Sequence, residues 1–121
     1  MEDNRFKGRK GKKRLREINE HIEQMLGETE ERYVRSGEMQ AILEAITDPE
    51  VKLYFVTAYH ELYRKWHGMK IYGFLRLCRR WMNAKKITEL RKSDVETMLE
   101  DILPSEDLQA VRQSTARAEE E

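Results

Sequence analysis

Residues 49–82 read PEVKLYFVTAYHELYRKWHGMKIYGFLRLCRRWM. Val51, Tyr54, Phe55, Ala58, Tyr59, Leu62, Tyr63 and Trp66 recur at i, i+3, i+4 and i+7. At about 100° per residue these eight fall within one half of a helical wheel, with Thr57, His60, Glu61 and Arg64 outside it. Thr47 or Asp48 caps the helix, Pro49 takes a first-turn position where its missing N–H costs nothing, and Glu50 stands in capping-box register with Thr47. Gly68 ends it. A second helix starts at Met69 or Lys70 and runs to Ala84. Ile71, Phe74, Leu75, Cys78, Trp81 and Met82 form its apolar arc, while Arg76, Arg79 and Arg80 project from the opposite, wet side. Gly73 inside it either weakens the helix by about 1 kcal/mol relative to alanine or marks a close approach of another backbone.

Outward from this pair the chain is also helical. Residues 1–12 are polar and carry Arg5, Lys7, Arg9, Lys10 and Lys12 between Gly8 and Gly11. With little apolar surface to offset ordering entropy, this segment reads as a flexible basic arm. From Lys13, Leu15, Ile18, Ile22, Met25 and Leu26 recur at helical spacing until Gly27, with Glu17, Glu20 and Glu23 on the other side. Residues 27–37 read as an acidic loop in which Tyr33 and Val34 pack locally. Ser36 caps a short helix carrying Met39, Ile42, Leu43 and Ile46. After a basic connector pinned by Ile87 and Leu90, Ser93 and Glu96 offer a capping box. They open a helix with Val95, Met98, Leu99, Ile102 and Leu103 that Pro104 stops. Residues 105–121 read as an acidic, partly disordered tail, within which Leu108 and Val111 suggest a short extra helix. The expected fold is therefore all-α: a single small bundle of about five helices over residues 13–104, with an arm and a tail.

At 121 residues and 39% hydrophobic content the chain suits one domain with a modest core. Charged side chains reach 38%, above the roughly 25% of ordinary globular proteins. The net charge of zero is a cancellation between blocks. Residues 1–16 sum to +6, 17–50 to −8, 51–93 to +9 and 94–121 to −7. What matters for recognition is whether one sign gathers on one face.

Most chemistry is excluded by what the chain lacks. Cys78 is the single cysteine, so neither an internal disulfide nor a cysteine-based metal cluster can form, and its place in an apolar arc suits a core thiol better than a nucleophile. His21, His60 and His67 have no histidine or cysteine at helical ligand spacing, so no metal is expected. No phosphate-binding glycine loop, nucleophile elbow or apolar carboxylate pair is present, so neither enzyme activity nor a cofactor is expected. No segment has signal-peptide character or approaches the roughly 20 apolar residues that span a bilayer, which points to the cytoplasm and away from membranes. The aromatic series Tyr54, Phe55, Tyr59, Tyr63, Trp66, Tyr72, Phe74 and Trp81 has the spacing of a core rather than of a base-stacking platform, although Tyr72 and other tyrosines can reach the surface through their hydroxyls.

The basic residues are distributed differently from an ordinary solvated surface. Arg64, Lys65, Lys70, Arg76, Arg79, Arg80, Lys85, Lys86, Arg91 and Lys92 are ten bases within 29 residues, opposed by Glu89 alone. A solvated helix face ordinarily mixes signs, because like charges four residues apart repel. Two partners can neutralise such a cluster. A nucleic acid is the first, with Arg76, Arg79 and Arg80 on phosphates, Lys70, Lys85, Lys86, Arg91 and Lys92 assisting, and Lys10, Lys12 and Lys13 adding attraction from the arm. The second is the chain's own acidic blocks, paired internally, in a homo-oligomer or across a protein interface. The chain would then be an assembly subunit of a larger complex, for instance a phage or defence complex.

Tyr72, Leu75, Trp81 with Met82, Ile87, Leu90, Ser93, Asp94, Val95, Met98 and Leu99 follow one order: a tyrosine-led helix ending in a Trp-apolar pair, a link with two apolar pins, and a capped helix opening with Asp-apolar. In this order the run resembles the second half of the core-binding, SAM-like N-terminal domain of tyrosine recombinases and phage integrases. Phe55 to Lys65 stands for the preceding helix, so the likeness covers residues 55–103. The resemblance implies a four-helix module that clasps DNA through basic helix faces, without the recombinase catalytic domain.

Overall fold

The computed structural model describes residues 4–66 and 69–120. Along them run a 3-10 turn (Asn4–Phe6) and seven helices: α1 (Gly8–Gly27), α2 (Glu31–Val34), α3 (Gly37–Ala45), α4 (Pro49–Lys65), α5 (Met69–Lys85), α6 (Lys92–Ile102) and α7 (Ser105–Glu120). The described residues contain no strand. The expected all-α small bundle is present, with more helices than the five anticipated. The expected stop at Gly68, and His67 beside it, lie outside the described residues.

Helix α4 is central because it is apolar on two sides. Phe55, Ala58, Tyr59 and Leu62 enter the main core with Ile42 of α3, Ile71, Phe74, Leu75 and Cys78 of α5, and Val95, Met98 and Leu99 of α6. Leu53 and Val56, roughly opposite on the wheel, make a second layer with Ile18, Ile22 and Met25 of α1. A helix apolar on both sides belongs inside a bundle. Thr57, expected outside, is buried, and its hydroxyl donates to the Leu53 carbonyl at 2.7 Å. Helix α5 meets α4 through large rings: Phe55 and Phe74 stack at 6.2 Å, and Trp66 stands edge-on to Phe74 at 6.3 Å.

Helix ends follow local chemistry. The Ser36 hydroxyl accepts the Met39 N–H, as its position in the sequence predicts. Asp48 rather than Thr47 caps α4, accepting the Glu50 N–H at 2.9 Å, which frees the Glu50 carboxylate to pair with Arg14. Helix α6 begins a residue before Ser93, and the carboxylate that reaches back is Asp94, taking the Arg91 N–H, in place of Glu96. The segment expected to be a loop includes the single turn α2, which buries Tyr33 against Tyr72 with their rings 6.5 Å apart.

Both chain ends depart from the sequence reading. Helix α1 starts at Gly8, inside the segment read as an arm. Gly8 takes φ +79°, and Gly11 sits so close to the preceding turn that a methyl group there would come within 2.5 Å of the Phe6 carbonyl carbon. The two glycines therefore serve a tight reversal. Residues 105–120, read as a tail, form α7, which packs on α4. Val111 and Thr115 are buried there, Ser114 donates to Glu61 at 2.8 Å, and Lys65 pairs with Asp107 at 2.9 Å.

Candidate nucleic-acid interface

Because Ile71, Leu75, Cys78 and Met82 fix one side of α5 in the core, the residues half a turn away must face water. Those are Lys70, Gly73, Arg76, Leu77 and Arg80. They border a groove of about 570 Å³ that Trp66, Phe74, Ile102, Pro104 and Asp107 complete. Gly73 is not a close approach: a methyl group added there would meet nothing within 4 Å. Leu77 stands exposed between the arginines.

The structure divides the predicted basic residues into groups. Lys70, Arg76 and Arg80 share the groove. Arg79, half-buried, lies on the flank toward Tyr72, whose hydroxyl donates to Glu38 at 3.0 Å. That hydrogen bond pushes the Tyr72 phenol up, and Arg76 opposes it. Lys85 and Lys86 are exposed at the C-terminal end of α5, where Lys85 lies 6.0 Å from the Trp81 ring. Arg91 is exposed on the connector. Lys92 instead lines a separate pocket with Tyr54, Glu96 and Thr115. Lys10, Lys12 and Lys13 are exposed on α1, which packs against the side of α4 away from the main core. The arm lysines therefore do not extend the α5 face.

Charge pairing is equally uneven. Several carboxylates of the acidic blocks are engaged away from these bases: Asp48 with Arg5 at 2.7 Å, Glu50 with Arg14 at 3.2 Å, Glu31 with Arg35 at 2.6 Å and Glu100 with Arg112 at 2.8 Å. Asp107, the one carboxylate lining the groove, is held by Lys65, whose own pKa is raised by that contact. Among the described residues no carboxylate lies within 4.0 Å of the head groups of Lys70, Arg76, Arg79, Arg80, Lys85, Lys86 or Arg91.

Lys86 carries a backbone signature. It sits at φ 56°, with its N–H on the Asn83 carbonyl and the Ile87 N–H on the Met82 carbonyl. This is the Schellman closure of a helix, a position that glycine fills without strain. Burial pushes the Cys78 thiol well up and leaves it a packing residue. Among the described residues no three His, Cys, Asp or Glu side chains are grouped to share a metal ion, and no helix is long and apolar enough to cross a membrane.

Sequence reasoning did not single out Leu77, Trp66 and Gly73 as a surface. The available signal was an apolar Leu77 inside the wet arc between Arg76 and Arg80. No family model matches the chain, and no curated protein or solved structure matches it significantly.

Proposed function

We propose that this chain is a non-catalytic nucleic-acid-binding module that holds phosphates on the outward face of α5, working in the cytoplasm without a cofactor. The resemblance of residues 55–103 to a recombinase core-binding domain points to DNA as the polymer. The observation that carries the reading is the pairing pattern. Seven bases on α5 and its connector have no carboxylate partner among the described residues, while carboxylates of both acidic blocks are tied to Arg5, Arg14, Arg35, Arg112 and Lys65. A crowded, unneutralised positive helix face is attractive to a polyanion, because each phosphate contact releases condensed counterions. Lys86 adds one more cation at the C-terminal end of α5, at a positive-φ position that glycine would fill with less strain.

Fluorescence anisotropy of a labelled oligonucleotide over a salt series tests the proposal. If Lys70, Arg76 and Arg80 each hold a phosphate, log affinity falls against log salt with a slope of about −2 to −3. Absent binding, or an affinity flat with ionic strength, contradicts it. Sedimentation that finds a salt-sensitive oligomer together with no nucleic-acid affinity assigns the α5 face to assembly instead.

A further inference from the structure

The groove beside α5 is not built for phosphates alone. Its floor is apolar, with Phe74 and Leu77 of α5 facing Ile102 and Pro104 at the α6–α7 corner. Leu77 is 45% exposed, the one large hydrophobic side chain left open among the described residues. An apolar side chain between two arginines gains nothing from a phosphate oxygen. It gains from a base turned inward.

Trp66 forms one wall, half-buried, with its ring edge-on to Phe74. The two tryptophans differ in how they are anchored. Trp81 Nε1 donates to Asp101 at 2.8 Å, whereas the Trp66 indole makes no hydrogen bond to the described residues and keeps its donor available. Gly73 leaves the floor open, and the Lys65 contact offsets the charge of Asp107. Aromatic and apolar platforms beside a positive rim are how single strands are held without sequence preference, since every base has a flat face to stack. In a duplex those faces are stacked on one another, and the only apolar group offered in the major groove is the thymine methyl.

From this we infer that the groove takes unstacked bases of a single-stranded nucleic acid, with phosphates on Lys70, Arg76 and Arg80 and a base against Trp66 and Leu77. The inference rests on the nucleic-acid reading above and narrows it from polyanion to single strand.

The test is anisotropy of the full chain with four probes of matched length: oligo-dT, an abasic strand, a duplex and a poly-glutamate peptide. Oligo-dT is expected to bind about tenfold or more tighter than the abasic strand and the duplex. Leu77→Ala changes an exposed side chain and is checked for folding by circular dichroism. It is expected to cut oligo-dT affinity about fivefold or more and to leave abasic affinity unchanged. In a Trp81→Phe background the remaining Trp66 emission is expected to quench with oligo-dT alone; should that variant not fold, the Leu77→Ala comparison decides. Equal binding of oligo-dT, abasic strand and duplex, with Leu77→Ala neutral, overturns the single-strand inference and leaves the phosphate reading standing. Equal binding of poly-glutamate, or no binding of any nucleic acid, overturns both.

Discussion

At Lys86 the backbone turns into the left-handed region at φ 56° to close α5, and a lysine Cβ there crowds its own carbonyl. Lys86→Gly is expected to raise stability by about 1 kcal/mol in urea denaturation and to weaken nucleic-acid binding, since one cation leaves the α5 end. A variant no more stable than wild type would remove the strain argument. On the other side of the molecule, His60 Nε2 lies 2.7 Å from Glu28 and holds that carboxyl below its usual value. A carboxyl with a lowered folded pKa stabilises above its unfolded value, about 4.3, and loses that contribution as pH falls through the folded one. The melting-temperature gap between wild type and Glu28→Gln is therefore expected at neutral pH and is expected to close below about pH 4. A gap independent of pH would mean that the contact acts through packing alone.

The element scale is where α7 matters. Val111 and Thr115 are buried against the bundle, and Asp107 and Ser114 reach Lys65 and Glu61 of α4. Ending the chain after Leu103 is expected to lower unfolding free energy by at least ~2 kcal/mol, because α4 then exposes a packed side; an unchanged denaturation midpoint would show α7 to be dispensable. The sequence made α4 and α5 legible, since their apolar positions keep helical spacing across dozens of residues and the core pays for that regularity. It hid α7, which offers only Leu108 and Val111 as apolar pins and seats itself through polar contacts that spacing does not record. Leu53 and Val56 were visible as apolar but fell outside the dominant arc, so the second packed side of α4 emerges only once α1 is in place. Gly8 and Gly11 look the same in sequence whether they loosen a segment or permit a reversal; the nearby Phe6 backbone decides. Of the candidate interface, Arg76 and Arg80 were legible as bases on the wet arc. That the α6–α7 corner would bring Ile102 and Pro104 against α5 was not, because a groove between separate elements has no periodic signature.

For the whole molecule, the zero net charge conceals a partition. Asp48 and Glu50 at the start of α4, Glu100 of α6 and Asp107 of α7 pair with bases from other segments, Glu31 pairs with Arg35 at the end of its own turn α2, and α5 keeps its positive face without carboxylate partners among the described residues. Exposed ion pairs of that kind contribute little stability, so their arrangement bears more on recognition than on folding. The Arg76→Ala, Arg80→Ala double variant changes only exposed groups and should fold as wild type does. The most direct test is its salt dependence beside that of the full chain. The log–log slope of nucleic-acid affinity is predicted to become shallower by about 2. A slope that stays the same would contradict the assignment of the α5 face.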